Sequence, residues 1–410
     1  MRKFLISFLF VFVMLAPVFG GDLEITGYVR NYTGVLLHGD YDFSIVQNTL
    51  NLNFELKSDK AALKVNPYVY QYYDRGLEFN LREAYLDLYF NSMDIRIGKQ
   101  QIIWGKADGV FITDVISPKD LSEFLLRDFD EIRMGITAAK LDYYLGDSTV
   151  ELVWVPVFTP DKFPPEGSIW KPRMDLPPNA KFDLSRMDME FNLKNSEYFG
   201  KISTLTGPID FEIMAGYTWD SRPVPFLERE IDPLTHLPVS ITIIPQYDRL
   251  TLFGGSFSTT VKGVVLRGEA AYYIGKYFRT TDPTVAEGVI EKNYMHYLIG
   301  ADTSLLGARV SFQFVQRWIF DYQPTLVDPE RHNMMTVLIT NKYLNDTLTV
   351  EFFSYIGLTD GDALIRPKIT YSFADGFDIQ IGVNIFTGSK GMFGQFHDND
   401  MVYTKIRYSF

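Results

Sequence analysis

Apolar and polar residues alternate with period two through most of this chain. In Phe377, Ile379, Ile381, Val383 and Ile385 every second residue is apolar, while Asp378, Gln380, Gly382 and Asn384 fill the other phase. Pro367, Ile369, Tyr371 and Phe373 alternate in the same way with Arg366, Lys368, Thr370 and Ser372, as do Leu50, Leu52, Phe54 and Leu56 with Asn51, Asn53 and Glu55. Such a pattern predicts strands with one apolar and one polar face. Tight connections at 57–60, 91–93, 145–148, 206–209, 261–263, 305–307, 344–346 and 374–376 mostly alternate with longer loops rich in Pro, Asp and Gly. With both chain ends on the side of the short turns, these eight turns predict 18 strands, with 16 as the fallback if 186–205 is less regular than one strand.

Short turns on one side and long loops on the other are the pattern of a transmembrane antiparallel up-and-down β-barrel. A large β-sandwich or propeller also alternates. Two further features favour the barrel. The chain holds 33 Phe and 25 Tyr, placed in short alternating segments with no later stretch long enough for a membrane helix. It ends in Ile406, Tyr408 and Phe410 on one phase, which resembles the C-terminal assembly signal of outer-membrane barrels and implies the barrel-assembly machinery as a partner.

The first residues read as a secretory leader: Arg2 and Lys3, an apolar run from Phe4, then Pro17 and a small-residue exit at Gly20. That gives a signal peptide over 1–20, export by the general secretory route, and one barrel domain over 21–410. The net charge of −12 argues against nucleic acid, and the absence of cysteine excludes thiol chemistry and Cys-ligated metals.

Gly98-Lys99-Gln100-Gln101-Ile102-Ile103-Trp104-Gly105 resembles the G-[RK]-Q-x-x-x-W-G stretch of a Gram-negative outer-membrane barrel family known only as a domain of unknown function. Where that family tends to carry Asn-Pro-x-Asp, this chain reads Ser117-Pro118-Lys119-Asp120. The resemblance implies a porin-like barrel and supplies no substrate. After Trp104-Gly105, residues 115–129 look helical: Ser117 is a good N-cap, Pro118 suits the first turn, and Leu121, Phe124 and Leu125 share a face. A helix with an apolar face must bury it, so 105–130 is expected to fold inward as a constriction loop, with a helix lying over the rim as the alternative.

If apolar residues face lipid, the other phase faces the lumen. It places Glu83, Asp87, Asp188, Glu190 and Glu212 on an acidic wall, and Arg267, Arg309, Arg317, Arg366, Lys368, Lys405 and Arg407 on a basic one, joined at the closing seam by Arg30. The two walls would set a field across the pore; the other reading is a network of local ion pairs. His38 and Asp40 in the first outer loop and His397, Asp398 and Asp400 in the last could meet at the rim, and Asp360-Gly361-Asp362 could offer oxygens to a cation, but solvated loop residues account for both. No catalytic, metal or cofactor site is expected. The expected function is an outer-membrane channel for passive diffusion of small polar solutes or ions. Alternatives are a transporter specific for hydrophobic or oligomeric compounds and a structural or adhesive barrel. Lipid is the surrounding partner, and a homo-oligomer, a trimer for instance, stays open.

Overall fold

The computed structural model describes residues 23–172, 180–190, 192–231 and 238–410. The expected leader, 1–20, lies outside them. The strands are β1 (Leu23–Leu36), β2 (Phe43–Lys57), β3 (Ala61–Tyr72), β4 (Gly76–Tyr89), β5 (Met93–Gln100), β6 (Ile136–Leu145), β7 (Ser148–Val155), β8 (Lys181–Phe182), β9 (Glu197–Thr206), β10 (Ile209–Trp219) and β11 (Val224–Ile231). They continue as β12 (Pro238–Gln246), β13 (Arg249–Val261), β14 (Val264–Arg279), β15 (Val289–Leu305), β16 (Ala308–Ile319), β17 (Arg331–Tyr343), β18 (Leu348–Gly357), β19 (Asp362–Ala374), β20 (Phe377–Thr387) and β21 (Met401–Ser409). Two one-turn helices, α1 (Phe129–Ile132) and α2 (Gly391–Gly394), lie between strands.

Eighteen of these strands form one antiparallel sheet, each paired with its sequence neighbours in the sheet, and β1 pairs with β21 to close it. Closure leaves no unpaired edge, the condition for crossing a bilayer with strands. Gly27 and Phe410 extend the seam, exchanging backbone hydrogen bonds at 2.9 and 3.0 Å. The tight turns stand at one end, where the sequence places them. In the β15–β16 turn Leu306 and Gly307 both have positive φ (51° and 83°), the two-residue geometry whose twist matches the flanking strands. β8, β11 and β12 form a separate small sheet among the long loops at the other end.

Ile25, Val29, Ile97, Leu152, Ile299, Ile381 and Ile406 lie exposed on the outer face, as lipid-facing residues should. The inner face departs from the simple polar expectation. Tyr28, Tyr32, Tyr70, Tyr72, Tyr273, Tyr355 and Tyr403 are buried there beside the charged residues. Buried apolar clusters fill much of the lumen, because the segment between β5 and β6 turns inward and rests on the wall.

Candidate functional site

The inward segment begins where the glycine- and tryptophan-bearing stretch lies, and each of its landmarks has a structural cause. Gly98 has φ +130°, and a Cβ there would meet the carbonyl oxygen of Ala84 at 2.3 Å. The Gln100 amide donates to the Ala138 carbonyl at 3.0 Å, and the Gln101 side chain donates to the Arg133 carbonyl at 2.5 Å, tying the two ends of the loop together. Trp104 is buried against Phe199 with its indole N–H donating to Glu151 at 2.5 Å. Ile102, Trp104 and Ile116 rest on Ile136, Ala138, Val153, Val155 and Met214, lumen-facing apolar residues of β6, β7 and β10.

Beyond Gly105 the chain crosses to the opposite wall. Glu269 on β14, buried, accepts from Lys106 N (2.8 Å), Thr113 N (2.7 Å) and Thr113 Oγ1 (2.7 Å). Ile112, fully buried, sits among Leu250, Leu252, Tyr273, Leu298 and Val315, and the Tyr273 hydroxyl donates to its carbonyl at 2.6 Å. Tyr355 on β18 donates to the Gly109 carbonyl at 2.7 Å.

The return path is not the expected helix over 115–129. Ser117 caps nothing: its Oγ accepts from Ile102 N at 2.8 Å and donates to Ile102 O at 3.0 Å, stapling the two arms of the loop. Pro118 and Leu121 lie in irregular backbone, Phe124 and Leu125 in a turn, and Phe124 has φ +53°. The backbone groups that a helix would satisfy internally have partners elsewhere. Asp120 N donates to Ile132 O and Leu121 N to Lys162 O, while Arg366 donates to Leu125 O (3.0 Å) and Leu126 O (3.2 Å). The apolar residues do find an inner surface: Phe124, Leu125 and buried Leu126 pack with Phe353, Tyr355, Phe386, Phe393 and Phe396. The helix that forms is α1, one turn at the end of the loop.

Placed in space, most of these charges have local partners. Arg30 reaches Asp128 (3.2 Å) and Glu131 (2.9 Å), and Lys405 holds Asp128 at 2.7 Å. Arg267 and Arg309 share Asp108 at 2.7 and 3.0 Å, Arg317 pairs with Asp328 at 2.6 Å, and Lys368 with Glu351 at 2.8 Å. Arg407 lies 4.1 Å from the Tyr28 ring. Of the acidic set, Glu83 pairs with Lys64 (2.9 Å), Asp87 with Arg96 (2.7 Å), and Glu212 accepts from Ser256 (2.7 Å). Asp188 and Glu190 are not on the wall, since residues 183–190 run exposed between β8 and the turn Leu193–Asn195. The loop therefore supplies acidic partners that strand phase alone attributes to the barrel. Burial opposes charge on Asp128 and Glu131, yet Lys405 and Arg30 beside the first, and Arg30 beside the second, hold both carboxyls below the usual range.

Between the loop and β17–β19 lies a cavity of about 350 Å³, lined from the loop by Asp108, Arg127, Asp128 and Phe129, and from the wall by Leu338, Glu351, Phe353, Arg366 and Lys368. At the outer rim His38 does meet Asp400 (3.0 Å), and His332 meets Asp360 at 3.2 Å. Asp362 accepts from the backbone of Phe393 and Gly394, the last two residues of α2.

Residues 35–350 match a family described as "Protein of unknown function (DUF1302)". No curated protein matches this chain. Among solved structures the fold is similar to Pseudomonas aeruginosa OccK2 (OpdF) in complex with glucuronate, with 9% identity over 95% of this chain and 96% of that one and a TM-score of 0.57. Pseudomonas aeruginosa OccK8 (OprE) is 8% identical over 95% and 98% of the two chains, with a TM-score of 0.55. Acinetobacter baumannii OccAB3 is 8% identical over 95% and 99%, also with a TM-score of 0.55.

Proposed function

From the premise that the chain belongs to the DUF1302 family and folds as a closed 18-stranded transmembrane barrel, we propose that it is an outer-membrane channel for passive diffusion of small polar solutes or ions. Export by the leader over 1–20 and insertion through the signal at Ile406, Tyr408 and Phe410 belong to the same proposal. One observation carries it: the loop between β5 and β6 narrows the lumen without filling it, leaving a cavity whose lining is mostly charged.

A charged lining favours polar solutes over apolar ones, which lose nothing by staying in lipid and gain nothing from ionic partners. The pairing of its charges argues for mild ion selectivity, because neighbouring opposite charges cancel beyond a screening length of about 8 Å at physiological salt. Single-channel recording in planar bilayers is the test. Discrete conductance that rises when residues 116–127 are removed supports the reading. A purified, folded barrel that never conducts, with or without that segment, overturns it and favours a structural barrel.

A further inference from the structure

We infer that the cavity beside the loop is a binding subsite for a small zwitterion with an apolar side chain, a solute of amino-acid type. The inference rests on the channel reading and names the solute class of its narrowest part. Strand register sets the wall in two rungs. Leu338, Phe353 and Arg366 stand opposite one another on β17, β18 and β19; two residues along, Glu351 stands opposite Lys368.

The cationic groups are not equally free to turn to a solute. Arg366 is engaged by the Leu125 and Leu126 carbonyls, and the Arg127 side chain, only 2% exposed, is closed in by Glu123 and Tyr72. Lys368 remains, 31% exposed and paired only on one side with Glu351. Facing it from the loop, Asp108 and Asp128 are 30% and 38% exposed, so each has an open side for a further donor beside the two cations it already holds. Phe129 is 42% exposed although it stands inside the barrel, and Leu338 extends the apolar part of the lining.

A simple anion entering here meets three carboxylates, and a simple cation meets Lys368 among the arginines. A solute carrying one charge of each sign satisfies both: its carboxylate replaces Glu351 at Lys368, and its ammonium donates to Asp108 or Asp128. An apolar substituent then covers Phe129 and Leu338. The volume lies at the small end of ligand sites, which begin at about 300 Å³.

Current interruptions in planar bilayers test this with L-phenylalanine, hydrocinnamate, which lacks the ammonium, and phenethylamine, which lacks the carboxylate. L-phenylalanine should interrupt the current at concentrations about tenfold lower than either analogue, the worth of one hydrogen bond to a charged group. Lys368→Gln, checked for folding by heat-modifiable migration, should weaken the L-phenylalanine effect by about the same factor and leave phenethylamine unchanged. Equal potency of the three probes, or no interruption in a channel that conducts, overturns the subsite. If the barrel does not conduct at all, the channel reading is what fails. Calorimetric titration of L-phenylalanine into the detergent-solubilised protein then decides: saturable binding weakened by Lys368→Gln upholds the subsite, and no heat of binding overturns it.

Discussion

The ammonium of Lys405 donates to both carboxylate oxygens of Asp128 at 2.7 Å, joining the last strand of the barrel to a loop that lies 277 residues earlier in the chain. Arg30 reaches the same carboxylate from the first strand, so the seam of the barrel and the loop inside it share one ionic contact. Lys405→Met should remove about 2 kcal/mol of anchoring, the worth of hydrogen bonds to a charged group, and leave Asp128 to Arg30 alone. Single-channel recordings should show larger and noisier openings than wild type. Traces identical to wild type would show that the remaining anchors suffice.

Glu269 holds the opposite side of the loop. Its carboxylate accepts three hydrogen bonds from Lys106 and Thr113, and no water-facing route replaces them at a site only 4% exposed. Glu269→Ala leaves those donors buried without partners at a cost of about 1–3 kcal/mol each, and Glu269→Gln retains part of the set. Protease nicking within 106–115 should rise strongly in the first variant and slightly in the second. Equal protection in both would mean that the Ile112 pocket alone fixes this stretch.

Acid should release the loop late. Asp128 and Glu131 have depressed pKa values in the folded protein, so their ionised forms stabilise it. That contribution is fully present above the ordinary carboxylate range near pH 4 and is lost as pH falls through the lower folded values. Conductance should therefore stay constant from neutral pH to about pH 4 and rise only below it. A rise near pH 6 would point to other groups.

Phe410 continues β21 beyond its last ladder residue, exchanging two backbone hydrogen bonds with Gly27, and its ring stands on the outer face with Tyr408 and Ile406. Deleting Phe410 should lower the amount of folded, heat-modifiable barrel in the membrane while export continues. Undiminished folded protein would remove the assembly role from this terminus.

The barrel was legible because its determinants are local. Period-two alternation and eight short turns follow from the pleat and from hairpin geometry, and the terminal phenylalanine lies on the phase it should. The loop was legible only in part. Leu121, Phe124 and Leu125 signal an inner surface, but their helical spacing misleads, because Arg366 and Lys162 satisfy the backbone from a distance and no sequence window contains those partners. Asp188 and Glu190 look lumenal by phase, yet phase means nothing outside a strand. The inward tyrosines did leave a signal: Tyr28-x-Arg30-x-Tyr32 and Tyr403-x-Lys405-x-Arg407 put aromatics on the charged phase, where they ring the basic residues.

The anchoring of the loop by β1 and β21 also orders events in time. Contacts between segments far apart in sequence form late, because the entropy of closing the intervening chain must be overcome first. Asp128 is made long before Lys405, and Arg30 occupies its final place only when β1 meets β21. Maturation of the constriction is thus coupled to completion of the cylinder. A nascent or truncated chain lacking β21 has lost the Lys405 clasp as well as its seam, and insertion of the last strand finishes the wall and completes the anchoring of its inner loop.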